Sequence, residues 1–426
     1  MNSSDETKHK SDQPPLIRLF GHRDDASGYE LRDFLKRSVV EFEWVELTSN
    51  EECAKQLGIS DVENVRLPVL VIPSGPCLYA PSLKEVAAAL GFVTNPKLRE
   101  YDVSIYGAGP SGLSAAVYAA SEGLRTVLIE RGAVGGQAGT TSMIENYLGF
   151  PDGIAGAALA ERARQQALKF GVEILVMREG VKAEFRDGKI LVDLADGGEM
   201  IARSNICATG VDWRRLSVKR ESDFLGSGVY YGAGASEAPY CSGEHVFVVG
   251  GGNSAGQAVV HLAEHAAKVT MLVRNEALAA SMSSYLIKRI ESTPNVEVRY
   301  RSEITALDGD KTLRKVGVTS VDGTLVWEDT TRLFVAIGGV PHTEWAKETP
   351  IIRDPGGYLV TGSDLIKDGA LPECWPLDRS PYYLETSVPG SFAAGDVRHR
   401  SIKRVATAVG EGAMAVSFVH RFLQEV

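Results

Sequence analysis

The chain has 426 residues, 44% hydrophobic and 23% charged, which suits a globular protein of two or three domains and excludes a disordered, collagen-like or membrane-bundle chain. A net charge of −10 argues against a general binder of nucleic acid or anionic membrane. The five cysteines, Cys53, Cys77, Cys207, Cys241 and Cys374, exclude a disulfide-rich scaffold, and their spacing provides neither a C-x-x-C pair nor a zinc-ligand pattern.

The first 15 residues read as a disordered polar tail without the apolar core of a signal peptide. No apolar run approaches the ~20 residues of a membrane span, so the expectation is a cytoplasmic chain. Leu16–Phe20 then reads as a strand, and Tyr29–Ser38 has helical spacing through Leu31, Phe34 and Leu35. Phe42–Leu47 alternates like a strand and Asn50–Leu57 reads as a short helix. Leu67–Ile72 reads as a strand entered through Pro68, and Ser82–Leu90 as a capped helix. Residues 1–95 hold 15 acidic and 10 basic residues, so half of the excess negative charge lies in this first unit. Asn95-Pro96 marks a linker.

This order resembles the thioredoxin-like pattern of glutaredoxin-type domains over residues 16–95. Leu67-Pro68-Val69 looks like that family's cis-proline segment, and Ser74-Gly75 like its hairpin turn. The resemblance implies a redox C-x-x-C near Asp25–Gly28, where the chain reads Asp-Ala-Ser-Gly. Thiol exchange needs a thiolate. The unit therefore reads as redox-dead: a docking or dimer-packing module, or a remnant that only packs.

At Tyr101–Gly112 an apolar strand runs into G-x-G-x-x-G, with Gly107, Gly109 and Gly112 followed by a helical run. The first glycine makes the tight turn, the second lets the backbone approach a pyrophosphate, and the third lets helix and strand pack closely. Pro110 and Ser111 lie within the turn. The next strand ends at Glu130, 23 residues after Gly107, where a ribose-binding carboxylate is needed, and Arg131 follows. A second apolar strand leads into Gly250-Gly251-Gly252-Asn253-Ser254-Ala255, the G-x-G-x-x-A variant. Its counterpart of Glu130 is Arg274, which suits a 2′-phosphate and so NADPH over NADH, although Glu276 lies close by.

Several further segments, taken with these motifs, closely resemble the FAD domain of low-molecular-weight bacterial thioredoxin reductases. They are Gly135-Gly136-Gln137, Ile144–Tyr147, Ala208-Thr209-Gly210, and Ser391–Asp396. The resemblance covers most of residues 98–426. It implies that Glu130 holds the adenosine ribose and that the Val181 backbone meets the adenine. Gly136, Gln137 and Asn146 would line the flavin, and Gly395-Asp396 would hold the ribityl chain. Lys403, Arg404 and Val405 would lie at the flavin's pyrimidine end, with Arg404 where that family has Gln. Arg398, His399 and Arg400 read either as part of that group or as a solvated basic loop. The implied architecture is α/β, with two nested Rossmann-like domains behind the thioredoxin-like unit. FAD would bind 98–213 and 338–426, and NAD(P)H would bind 214–337, with Ile337-Gly338 at the return. No metal is implied, and a homodimer is implied.

In that family a C-x-x-C precedes the second glycine motif. Here Gly232 and Ala235 stand at those positions. Glu237 reads either as a proton donor or as a helix N-terminal carboxylate, and Cys241 either as a lone reactive thiol or as a core cysteine. Ala370–Tyr383, with Trp375, Tyr382 and Tyr383, reads as a lid, an interdomain brace or plain packing. The chain also resembles cysteine-less thioredoxin-reductase-like flavoproteins that share this W-P-L-D segment and carry a variable N-terminal module. The expected activity is hydride transfer from NADPH to FAD and on to an external acceptor, a small molecule or a redox protein. The alternatives are a ferredoxin (flavodoxin)–NADP reductase and a non-catalytic flavin or NADPH sensor.

Overall fold

The computed structural model describes residues 16–58, 65–93, 95–186, 188–232, 234 and 236–425. The expected tail at 1–15 and the substituted position Ala235 lie outside the described residues.

The first unit contains β1 (Ile17–Gly21), α1 (Ala26–Arg37), β2 (Phe42–Glu46), α2 (Asn50–Leu57), β3 (Val69–Val71), β4 (Cys77–Tyr79) and α3 (Leu83–Ala89). Its sheet order is β2-β1-β3-β4, with β1 parallel to β2 and antiparallel to β3. Helix α1 begins three residues earlier than the apolar spacing suggests, because the Asp25 carboxylate accepts the Gly28 N–H and caps it. Strand β4 was not identified from the sequence, being three residues long and half exposed at the sheet edge. The Leu67–Pro68 peptide is cis. Ser82 and Glu85 close a capping box on α3.

The second unit opens with β5 (Glu100–Tyr106), α4 (Pro110–Ser121) and β6 (Thr126–Glu130). It continues through α5 (Gly156–Lys169), β7 (Glu173–Val176), β8 (Gly180–Arg186), β9 (Lys189–Leu194) and β10 (Glu199–Cys207). The buried parallel strands β7-β6-β5-β10 read as near-continuous apolar runs because helices cover their faces. The chain then crosses through β11 (Val211–Trp213) into the third unit.

That unit holds β12 (Val229–Tyr231), β13 (His245–Val249), α6 (Asn253–Ala263), β14 (Lys268–Val273), α7 (Ser284–Glu291) and β15 (Val296–Tyr300). An antiparallel sheet of β16 (Ser302–Gly309), β17 (Leu313–Ser320) and β18 (Leu325–Asp329) packs beside the parallel order β12-β19-β13-β14-β15, where β19 is Leu333–Val335. The return strand β20 (Gly339–Pro341) pairs with β11, so the outgoing and returning chains form one two-stranded ribbon. Strand β21 (Ser391–Ala393) then adds to β10, and α8 (Val405–Glu425) packs against α4.

The first unit is wedged against both others. Its apolar core extends onto Ala133 and Met177 of the second unit. Toward the third unit, Arg32 donates to Glu237 at 3.0 Å, and both side chains are sealed, at 1% and 0% exposure. The same guanidinium lies over the rings of Trp44 and Tyr240. Tyr29 meets Tyr230 edge-on at 5.0 Å, and Arg332, itself buried, pairs with Asp24 at 2.9 Å. Removing one partner of a buried ion pair strands the other charge without water. Arg32→Ala is therefore expected to cost about 3–5 kcal/mol of stability, read as a lowered thermal midpoint of the whole chain. Replacing the pair together, Arg32→Met with Glu237→Leu, is expected to recover most of that loss.

Candidate active site

Both glycine turns are built alike. Gly107 follows β5 with φ +100°, and a Cβ there would sit 2.3 Å from the Ala208 carbonyl oxygen. Gly250 follows β13 with φ +141°, and its Cβ would sit 2.3 Å from the Ala336 carbonyl oxygen. Only glycine meets both conditions, the left-handed backbone and the close approach. Helices α4 and α6 then start at Gly109 and Gly252, where no side chain caps the free N–H groups. Those donors, at the positive ends of the helix dipoles, are left for an anion.

The two turns open onto one cavity of about 1140 Å³. Gly107, Gly109, Pro110, Ser111, Glu130, Arg131, Gly136, Gln137, Asn146, Ala208, Thr209 and Gly210 line its first half. Asp396, Lys403, Arg404 and Val405 border the same half, and Gly250, Gly252, Asn253, Ser254, Arg274, Ile337 and Gly338 line the other. Three sequence-selected residues lie behind the wall. A Cβ on Gly112 would stand 1.8 Å from the Gly107 carbonyl oxygen, Ala255 is fully buried, and a Cβ on Gly395 would stand 2.9 Å from Ser111 Cβ. Val181 lines neither cavity; its neighbours Gly180 and Lys182 border a smaller one that also includes Glu130.

Glu130 is held in place by two backbone donors, the Ala108 N–H at 2.7 Å and the Gly132 N–H at 2.8 Å, one on each carboxylate oxygen. Each oxygen keeps a lone pair for a hydroxyl. Gln137 donates to the Val211 carbonyl at 2.7 Å and so ties its turn to β11. Arg131 pairs with Asp212, which also meets His342 at 3.1 Å.

Asp396 accepts no hydrogen bond to its carboxylate among the described residues. Burial pushes its pKa up while nearby Lys403 pulls it back. Its loop is held from behind by a buried pair the sequence did not reveal: Glu411 accepts from Arg398 at 2.5 Å and from the Gly395 N–H at 2.7 Å. Arg398 is therefore neither a flavin contact nor a solvated loop residue. His399 likewise meets Asp354 at 2.6 Å. Lys403 sits over the Tyr358 ring, 4.4 Å from its centre.

On the other half, Arg274 is exposed at the cavity edge. The competing carboxylate, Glu276, is paired with Arg301, which lessens its pull on the site. Arg37, Trp213 and Arg215 also line the cavity and were not picked out from sequence, because no motif marks them.

Glu237 and Cys241 are not brought to the cavity. Glu237 lies under α1, paired with Arg32; it is a buried carboxylate at the N-terminus of the short 3-10 helix Ala238–Cys241, not an accessible proton donor. Cys241 is fully buried, its thiol donates to the Glu237 carbonyl at 3.4 Å, and burial pushes its pKa up to about 12. That removes the thiolate a reactive cysteine needs. The Ala370–Tyr383 segment does not cap the cavity either. Trp375 donates to the Arg379 carbonyl, Arg379 binds Glu385 and Glu425, and Tyr382 stacks on Phe418 of α8. Apart from the cavity, His261, Glu264 and His265 cluster where α6 ends, one polar atom of each lying within 4.8 Å of the others.

The pyridine nucleotide-disulphide oxidoreductase family matches residues 101–412. The chain belongs to this family. The thioredoxin reductase of Treponema pallidum is 34% identical over 317 residues, which are 74% of this chain and 95% of that protein. The Bacillus subtilis thioredoxin reductase is 34% identical over 331 residues, 76% and 96% of the two chains. Among solved structures, Lactococcus lactis thioredoxin reductase in its FR conformation superposes with a TM-score of 0.68 at 28% identity. It covers 76% of this chain and all of that one. This member of the family is an NAD(P)H-dependent flavoprotein oxidoreductase that uses FAD and NADPH. The residues fit both groups: two uncapped helix N-termini for two pyrophosphates, Asp396 and the buried Ser111 hydroxyl, without a partner among the described residues, for a polyol chain, and Arg274 for a phosphate. No described helix is long and apolar enough to cross a membrane.

A charge-assisted bond to phosphate contributes about 1.5–3 kcal/mol. Arg274→Ala is therefore expected to lower the NADPH-to-NADH ratio of kcat/KM about 10- to 100-fold. Gly107→Ala is expected to yield protein without bound flavin, scored by absorbance at purification, since its Cβ would meet a backbone carbonyl that cannot move aside.

Proposed function

We propose that this flavoprotein carries electrons from NADPH through FAD to an external small-molecule acceptor, without an internal dithiol. FAD, when bound, would supply two-electron redox chemistry between NADPH and the acceptor. The one cavity would hold both cofactors, with Glu130 on the adenosine ribose and Lys403 and Arg404 toward the flavin's pyrimidine end. A cation there stabilises the charge of the reduced ring.

The observation that carries this reading is the sealed Glu237. In this reading residues 232–235 stand where thioredoxin reductases keep their cysteine pair, and Glu237 follows after Ser236. That stretch holds no cysteine, and Glu237 lies beneath α1. A protein disulfide reaching that stretch finds no thiol to exchange with. We read residues 16–95 as a thioredoxin-like module, supported by its element order and its β2-β1-β3-β4 sheet. It lacks cysteines at Asp25–Gly28 and spans both nucleotide-binding domains, 98–213 with 338–426 and 214–337, as a strut across their ribbon hinge. A homodimer in the cytoplasm completes the proposal.

A ferredoxin-reductase reading needs a basic docking face. Of the basic run at 398–404, Arg398 and His399 are paired internally, Arg400 lies 3.3 Å from Asp364, and Lys403 and Arg404 face the cavity. The acidic first unit opposes it further. The deciding experiment is anaerobic stopped-flow mixing with NADPH, followed by candidate acceptors. Rapid flavin bleaching, reoxidation by a quinone and none by oxidised thioredoxin are expected. Bleaching too slow for turnover would favour the sensor reading, and fast reoxidation by oxidised thioredoxin would overturn the dithiol-free route.

A further inference from the structure

The last residue of α1 reaches out of the first unit and into the cofactor cavity. Arg37 lines that cavity together with Gly136 and Gln137. One of its amino groups donates to the Ala133 carbonyl at 3.2 Å and to the Gly136 carbonyl at 3.3 Å. Its Nε is buried and meets no acceptor among the described residues. The turn it grips needs support. Gly135 and Gly136 both have positive φ, and a Cβ on Gly136 would stand 3.0 Å from Gly109 Cα, at the first phosphate turn. A guanidinium bonded to two carbonyls of this turn fixes the shape that two glycines leave free.

The same group brings a charge. The carboxylate nearest to it is Asp33, one turn back on α1 and 3.6 Å from the other Arg37 amino group. Burial pushes the Asp33 pKa up, against the pull of Arg37, and Ser236 donates to it. By position, Arg37 and Asp33 pair across one turn of the helix, the guanidinium at the cavity wall and the carboxyl behind it. Electrostatic effects on a bound ring are strong in such a partly enclosed site.

We propose that Arg37 is a positioning residue for the flavin, supplied by the N-terminal module: it holds the 133–137 turn and makes the bound flavin easier to reduce. The module's role then goes beyond bracing, because it contributes to the redox site. The inference rests on FAD lying along the Gly107 and Gly136 turns, and it holds whatever the final acceptor is.

The test is the midpoint potential of the purified, FAD-loaded full chain, measured by equilibration with reference dyes. Arg37→Gln keeps a polar side chain but removes the charge. It is expected to lower the ratio of reduced- to oxidised-flavin affinity at least tenfold, a negative shift of about 30 mV for a two-electron couple. Arg37→Lys is expected to restore most of that ratio. Asp33→Asn, which removes the countercharge, is expected to shift it the opposite way. A purely structural role would move none of these in opposite directions. A ratio within twofold of wild type in Arg37→Gln, or a Lys variant as low as the Gln variant, overturns the proposal. If Arg37→Gln does not retain FAD, the sign of the Asp33→Asn shift decides. Failure of the wild-type chain to bind FAD would instead overturn the cofactor assignment beneath it.

Discussion

Arg32 and Glu237 form an ion pair with almost no water around either charge. Burying two charges is tolerated only when each faces the other with good geometry. That requirement fixes α1 against the segment before β13, and with α1 comes the rest of the first unit. The aromatic contacts of Tyr29 with Tyr230, and of Arg32 with Trp44 and Tyr240, fill the space around the pair. The second and third units are joined in addition by the ribbon of β11 and β20, three residues long on each side.

The consequence reaches the chemistry. Glu237, two residues past the stretch that the proposed reading sets in place of a cysteine pair, lies beneath a helix. The cofactor cavity, in contrast, stays open to both glycine turns at once. In the proposed reading electrons pass between two bound nucleotides and not through the chain's own side chains. The buried, strongly protonated thiols of Cys207 and Cys241, both held near pKa 12, point the same way.

The pairing of charges also sorts an ambiguous sequence. The run from Arg398 to Arg404 reads as a single basic loop, yet its members separate. Arg398 turns inward to Glu411 and supports the Gly395-Asp396 turn, His399 turns to Asp354, and Lys403 and Arg404 remain at the cavity. Glu276, which on paper opposes phosphate binding, is taken up by Arg301, 25 residues later.

The sequence alone determined the two phosphate turns and the residues that line them. Each depends on local backbone chemistry, a glycine at a strand end followed by a helix, and such chemistry is written in adjacent residues. The carboxylate of Glu130 and the guanidinium of Arg274 were legible for the same reason, since a strand and a helix of ordinary length fix their distance from the turn. Only the tertiary structure decided what Glu237, Cys241, Trp375 and Arg37 do. Their environments are made by partners far away in the chain, Arg32 for Glu237 and the Ala133–Gly136 carbonyls for Arg37, and no local pattern encodes those meetings. Burial and pairing across distant segments turned a candidate acid and a candidate thiol into core residues, and brought an unremarked helix-end arginine into the cofactor cavity.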